Sequence, residues 1–278
     1  MDSLSSIQLT SQPSVAKNLL KIEHQLSKLV VKNDHIVVLP ECCLFFGGEE
    51  SQLLQLAKYH EKDHRLRENL AKLAQSFGVY LVAGSIPIYQ PQSNKFTNSC
   101  CVFSPQGKEI GRYDKIHLFD VNVADNTRGY KESRFTQAGN KTCIVPVGKF
   151  KLGLSICYDL RFPELYRQLT LDGADIIAVP SAFTSLTGEA HWQTLLRARA
   201  IENQVFIVAA AQEGKHQNNR QTWGHSMIIN PWGEIISGLA QGQGIISVEI
   251  CRDDIVKVRS AMPMAKQNQF TTKLKFYE

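Results

Sequence analysis

The sequence predicts an α/β fold of four layers, αββα, with two sheets packed on each other and helices outside. Three observations carry this. Segments with helical apolar spacing alternate with short runs rich in Val and Ile. The runs outnumber the helical segments, and many are apolar on both faces, as strands buried between two layers must be. At 278 residues the chain is longer than a common domain, but a layered α/β fold can use that length around one core. No Gly/Ser/Pro tract, block of like charge or internal repeat interrupts the alternation, so residues 1–278 are expected to form a single domain.

In chain order, SSIQLTS at 5–11 opens as a strand. From 14 to 32, Val15, Leu19, Ile22, Leu26 and Leu29 recur at helical spacing. HIVVLPE at 35–41 is a strand that ends in a carboxylate. Residues 52–77 read as one long charged amphipathic helix stopping at Gly78, a C-cap position. YLVAGSIPI at 80–88 returns to strand, and 98–115 form a hairpin around SPQGK. After a loop over 120–149 come strand 150–157, helix 162–172, strand 174–183, helix 190–204 and strand 205–212. A hairpin at 224–236 turns at Asn230-Pro231-Trp232-Gly233, and 244–250 is the last strand.

Composition narrows the partners. The net charge is +5, and the 31 Lys and Arg residues are scattered among 26 acids, whereas nucleic acid would call for a clustered basic face. The KLKF segment at 273–276 is too short for a binding arm and reads as a solvated tail. There is no run of 18 apolar residues and no leader pattern, so neither a membrane partner nor secretion is expected, and the chain is assigned to the cytoplasm. Seven cysteines, including the neighbours Cys42/Cys43 and Cys100/Cys101, show neither CxxC spacing nor a disulfide framework. No metal site is expected, and the compartment reads as reducing.

The chemistry begins at FKLGLSICYDLRFPELYR, 150–167, where an apolar run stops at Cys157. A thiol there would sit beside the positive end of the next helix, which lowers its pKa, and the Tyr158 N–H would be left free as half an oxyanion hole. Taken alone, Cys157 fits a buried core cysteine better than a nucleophile. Two other segments reverse that. Glu41 closes HIVVLPE directly after Pro40, and Lys115 stands in the otherwise apolar GRYDKIHLFD. Each charge would be costly to bury alone. Grouped, the three satisfy one another and supply a base, an oxyanion stabiliser and a nucleophile. Arg161, four residues past Cys157, suits a substrate carboxylate, with a surface salt bridge as the competing role. Phe183, Thr184 and Thr187 follow the next strand and would line the same mouth, while His191 and Trp192 read as packing at a helix start.

In order and local motif, LPE at 39–41, YDKIHLFD at 113–120 and CYDLRFPEL at 157–165, the chain resembles the nitrilase superfamily of carbon–nitrogen hydrolases. The likeness covers nearly the whole length. It implies a Glu41, Lys115, Cys157 triad, and it carries the family's additional active-site glutamate to Glu132. PSAFTSLTGEAHWQTLLRARAIENQ and AAAQEGKH resemble the deaminated glutathione amidase branch more than the omega-amidases. That branch implies a cofactor-free amidase working through a cysteine thioester. Its small-molecule substrate would be an amide with a carboxylate, the 2-oxo analogue of glutathione, cleaved to 2-oxoglutarate and cysteinylglycine. Glu189 and the ECCLFFGG segment after Glu41 depart from the branch pattern.

Family members pair through helices beside the nucleophile, which implies a homodimer or higher homo-oligomer. Trp192, Leu195, Leu196, Ala198 and Ile201 fit that role on helix 190–204. Three further readings remain open. An omega-amidase acting on 2-oxoglutaramate or an N-carbamoyl amino acid hydrolase would use the same triad. A papain-type Cys–His hydrolase would need a partner such as His117 or His225. A non-catalytic oligomeric scaffold would have no chemical reason to keep Glu41, Lys115 and Cys157 together.

Overall fold

The computed structural model describes residues 2–31, 33–122, 129–271 and 274. Apart from Leu274, the KLKF segment lies outside the described residues. Two sheets form the centre. The larger has strands in the order Gly244–Ile250, Asp2–Gln8, His35–Val38, Tyr80–Val82, Lys95–Phe103, Ile86–Gln90, with Glu109–Asp114 also pairing to Lys95–Phe103. The other runs Ile235–Leu239, Ser226–Ile229, Phe206–Ala211, Ile176–Ser181, Phe150–Leu154, Ile144–Val147. Each sheet has a parallel centre of three strands and antiparallel margins.

The strand His35–Val38 shows why its sequence reads apolar throughout. Ile36 and Val38 join a cluster with Leu152, Leu154 and Ala178 of the other sheet. Val37 and Leu39, one residue out of phase, pack with Ile22 and Leu26 of helix Val15–Leu26 and with Leu66 and Leu70 of helix Arg65–Phe77. Polar pins cross between the sheets. Ser6 Oγ donates to the Ala209 carbonyl at 2.8 Å, and the Ser226 N–H donates to Gln8 Oε1 at 2.9 Å. Helices Pro163–Leu171 and Ser185–Asn203 cover the outer face of the second sheet through Leu165, Leu169, Trp192 and Leu196. The result is the four-layer αββα sandwich expected. Among the described residues, no helix is long and apolar enough to cross a membrane.

Several boundaries differ from expectation, each for a local reason. The first strand lies at Asp2–Gln8, three residues early. Residues 52–77 hold two helices, Glu50–Tyr59 and Arg65–Phe77, because His64 takes a left-handed φ of 51° and Asp63 accepts the Arg65 N–H. The strand expected at 80–88 is split into Tyr80–Val82 and Ile86–Gln90 at Gly84, φ +55°, where a Cβ would fall 1.9 Å from the Pro40 carbonyl oxygen. That close approach fixes the backbone just before Glu41. Helix Ser185–Asn203 begins five residues early because Thr184 is its N-cap, accepting the Thr187 N–H. The 120–149 loop contains short strands Asp120–Val121 and Tyr130–Lys131, a 3-10 turn Glu132–Arg134 and strand Ile144–Val147. Helices Arg252–Ala261 and Met264–Gln267, which sequence reasoning missed, follow the last strand.

Candidate active site

Strand ends bring the charged residues together. Glu41 follows His35–Val38, Lys115 follows Glu109–Asp114, and Cys157 follows Phe150–Leu154 at the start of a 3-10 turn, Cys157–Arg161. All three are buried, with exposures of 5, 2 and 8%. They form the floor of one cleft, also lined by Glu132, Tyr158, Arg161, Phe183, Thr184 and Thr187. Every site residue singled out from the sequence therefore reaches the same cleft.

Lys115 is the hub. Its Nζ donates to Glu41 Oε1 at 3.0 Å and to Glu132 Oε2 at 2.9 Å, with Glu132 Oε1 at 3.2 Å. Asn98 Nδ2 bridges the same carboxylates, at 3.0 Å from Glu41 Oε1 and 3.3 Å from Glu132 Oε1. The Ala182 N–H donates to Glu41 Oε2 at 3.0 Å, and the Phe119 N–H to Glu132 Oε2 at 2.7 Å. Such mutual satisfaction is what allows the Glu41 carboxylate and the Lys115 ammonium to be buried beside the part-buried Glu132. It also sets their charges. Burial pushes the Glu41 pKa up, but Lys115 and hydrogen bonds from Cys157 and Lys115 outweigh it, and the carboxyl is held below its ordinary value. Burial opposes the Lys115 charge, yet Glu132 and Glu41 drive its pKa well above normal.

Cys157 departs from expectation. Burial, then the Glu41 charge, raises its pKa well above that of an ordinary thiol, although Lys115 opposes the shift. The α-helix begins only at Pro163, so its positive end does not adjoin the sulfur. The resting floor is thus a thiol, a carboxylate and an ammonium. Cys157 has φ +50°, a strained conformation for a residue with a Cβ. Asp159 holds it there. Its fully buried carboxylate accepts the Ile156 N–H at 2.9 Å and the Tyr113 hydroxyl at 2.8 Å through Oδ2. Oδ1 accepts the His117 N–H at 3.1 Å and faces His117 Nδ1 at 2.7 Å.

The walls are aromatic. Arg161 lies 5.3 Å from the Phe183 ring and 5.8 Å from Tyr158, with its Nη1 3.2 Å from His191 Nδ1. Trp192 is core, as expected, and donates from Nε1 to the His225 carbonyl at 2.8 Å. His191 instead is exposed and flanks Arg161. No histidine is among the described residues lining the cleft: His117 is engaged by Asp159 and stacked on Phe162 at 3.6 Å, and His225 stacks on Trp223 at 4.2 Å. A Cys–His pair has no geometric basis here. Sequence reasoning missed Asn98, Asp159 and Arg220. Asn98 stands among Thr97 and Ser99 in strand Lys95–Phe103, so its residue type gave no signal, and only the pairing in which its carbonyl accepts the Lys115 N–H at 2.9 Å sets it apart.

Comparison with known proteins agrees with this geometry. The carbon–nitrogen hydrolase family model matches residues 3–260. A deaminated glutathione amidase of Yersinia enterocolitica is 39% identical over 272 residues, covering 96% of this chain and 93% of that one. An omega-amidase NIT2 of Xenopus tropicalis is 34% identical over 267 residues, covering 96% and 94%. The crystal structure of the C. elegans NitFhit protein superimposes with a TM-score of 0.88 at 33% identity, covering 99% of this chain and 68% of that one. Fold, motif order and full-length similarity agree, and the chain belongs to the carbon–nitrogen hydrolase family.

Proposed function

We propose that this carbon–nitrogen hydrolase is an amidase that cleaves deaminated glutathione, with Cys157 as nucleophile and Glu41 as general base. The observation that carries the chemistry is the buried Lys115, which pairs with both Glu41 and Glu132 and helps hold the Glu41 carboxyl below its ordinary pKa beside a thiol whose pKa is raised. Glu41 takes the Cys157 proton as the sulfur attacks the amide carbonyl. Of the three ammonium donors of Lys115, one serves Glu41 and one serves Glu132, leaving the third for the tetrahedral oxyanion. The Tyr158 N–H, near the start of its turn and lacking a carbonyl partner within it, is the second oxyanion donor. Glu41, now protonated, passes its proton to the leaving amine as the C–N bond breaks and a thioester remains. Water, deprotonated by Glu41, then releases the acid and restores the thiol. Glu132 orients Lys115.

Arg161 is assigned to the substrate carboxylate, with Phe183, Thr184 and Thr187 as further binding wall. The substrate assignment is supported by the names of the relatives and by an open cleft with a cationic side chain on each of two walls. The omega-amidase relative keeps 2-oxoglutaramate as the second reading. Purified protein assayed on deaminated glutathione, 2-oxoglutaramate and an N-carbamoyl amino acid should show the highest kcat/KM on the first. A preference for either of the others would transfer the enzyme to that branch.

Residues 1–278 are taken as one domain, acting in the cytoplasm, where the seven free thiols fit a reducing medium. Assembly as a homodimer is supported by Leu186 and Ile201, which remain exposed on helix Ser185–Asn203 while Trp192 and Leu196 turn inward. Light scattering should return at least twice the 31.2 kDa chain mass. A fully active monomer would remove the dimer.

A further inference from the structure

The cleft contains a cation that these reaction steps leave unused. Arg220 lies in the turn between the short strands Glu213–Lys215 and Gln221–Trp223. Asn218 anchors that turn, accepting the Arg220 N–H at 3.2 Å and donating to the Gly48 carbonyl at 3.0 Å. The guanidinium carbon is 4.8 Å from the Tyr130 ring centre and 5.1 Å from that of Phe46. Its Nε is buried without a hydrogen-bond partner, and among the described residues no carboxylate lies within ion-pair distance of the side chain. Burying an N–H unpaired costs free energy that a ligand can recover. A guanidinium fork held between aromatic faces matches a carboxylate.

Arg161 and Arg220 occupy different walls. Arg161 faces Tyr158 and Phe183, whereas Arg220 faces Tyr130 and Phe46. An aromatic arc separates them, with Tyr158 to Phe119 at 5.1 Å and Phe119 to Tyr130 at 5.0 Å between ring centres. The two walls also differ in their relation to the base. Arg220 packs on Phe46, in the segment that follows Glu41, and its charge lowers the Glu41 pKa after the larger effects of burial, Lys115 and the Cys157 hydrogen bond, whereas Arg161 stands on the nucleophile's own turn, Cys157–Arg161. Arg161 is thus placed with the nucleophile, which keeps the acyl group, and Arg220 with the segment of the base, which protonates the leaving amine. Glu49, at the rim, is the remaining carboxylate of the cleft lining.

We propose that Arg220 binds a carboxylate on the leaving amine while Arg161 binds one on the acyl portion, so that the cleft selects amides with a carboxylate on each side of the scissile bond. This inference rests on the amidase reading and sharpens it, because deaminated glutathione has both carboxylates and 2-oxoglutaramate, which releases ammonia, has only the acyl one.

The test compares wild type, Arg220→Gln and Arg220→Lys on deaminated glutathione, its glycine methyl ester and 2-oxoglutaramate. Wild type should lose about tenfold or more in kcat/KM on the ester. Arg220→Gln should lose a similar factor on deaminated glutathione, mainly through KM, and far less on the other two, with Arg220→Lys recovering part of the loss. Equal losses on all three substrates would make Arg220 a neighbour of Glu41 or a structural residue, and overturn the inference. So would a wild type indifferent to the ester, however the variants fold. A wild type that cleaves 2-oxoglutaramate but neither of the larger amides contradicts the substrate reading itself.

Discussion

The floor and the rim of the cleft handle charge in opposite ways. At the floor, Glu41 and Lys115 are buried at strand ends and, with the part-buried Glu132 of a 3-10 turn, are satisfied by one another, by Asn98 and by two backbone N–H groups. At the rim, Arg161 and Arg220 stand on turns against aromatic rings without a carboxylate partner among the described residues. The floor is complete before substrate arrives, as preorganised chemistry requires. The rim is complete only with an anion bound. Substitutions at the floor should therefore damage turnover or the fold, and substitutions at the rim should damage substrate choice.

The largest break of this contrast is Lys115→Met. It leaves the buried Glu41 carboxylate facing Glu132 without their cation, and breaking a buried charge group in this way costs about 3–5 kcal/mol. Denaturant unfolding should show that loss together with absent turnover. A Lys115→Met protein of wild-type stability would mean that the floor is solvated rather than mutually satisfied.

At the rim, Arg161→Lys should raise KM for carboxylate-bearing amides by about tenfold, since a point charge replaces a fork, and should leave neutral amides little affected. Steady-state kinetics on both classes checks this. Parallel losses would return Arg161 to a structural role beside His191.

A pH-dependent effect on stability comes from the hairpin that holds Arg220. His216 is buried, its Nδ1 donating to the Ser11 carbonyl at 3.1 Å and its Nε2 accepting from the Thr222 hydroxyl at 2.7 Å. Burial, and then the charges of Arg220 and Lys21, lower its pKa from 6.5 to about 4, against the Ser11 bond that raises it. The unfolded chain then binds the proton more readily, so this stability is full above pH 6.5 and lost as pH falls towards 4. The size is about 3 kcal/mol at most. His216→Gln should flatten unfolding free energy across that window, and an unchanged slope would show that His216 does not titrate there.

Glu41, Lys115, Cys157 and Arg161 were legible in the sequence, whereas Glu132 came only through the resemblance and Asn98 and Arg220 not at all, for a physical reason. Glu41, Lys115 and Cys157 interrupt apolar strands, where an ionisable group needs a partner, and so each one announces the others. Arg220 sits in QNNRQ, a polar turn in which a charged residue is ordinarily solvated, and only the approach of Phe46 and Tyr130 sets it apart. Asp159 stands within the nucleophile's own motif, yet its role depends on Tyr113 and His117 arriving from another strand end. The lowered thiol pKa expected from a helix start failed because a 3-10 turn intervenes and burial dominates. The layers were readable from alternation alone, but breaks such as those at His64 and Gly84 depend on backbone conformation rather than apolar spacing.

In the proposed reaction Glu41, Lys115 and Glu132 work through one covalent intermediate on Cys157. The most direct measurement is peptide mass spectrometry of enzyme acid-quenched during turnover of deaminated glutathione, alongside Cys157→Ala. A single 2-oxoglutaryl group is expected on the Cys157 peptide of the wild type, and a folded Cys157→Ala protein with neither adduct nor turnover. An acyl group on any of the other six cysteines, or turnover retained in Cys157→Ala, would contradict it.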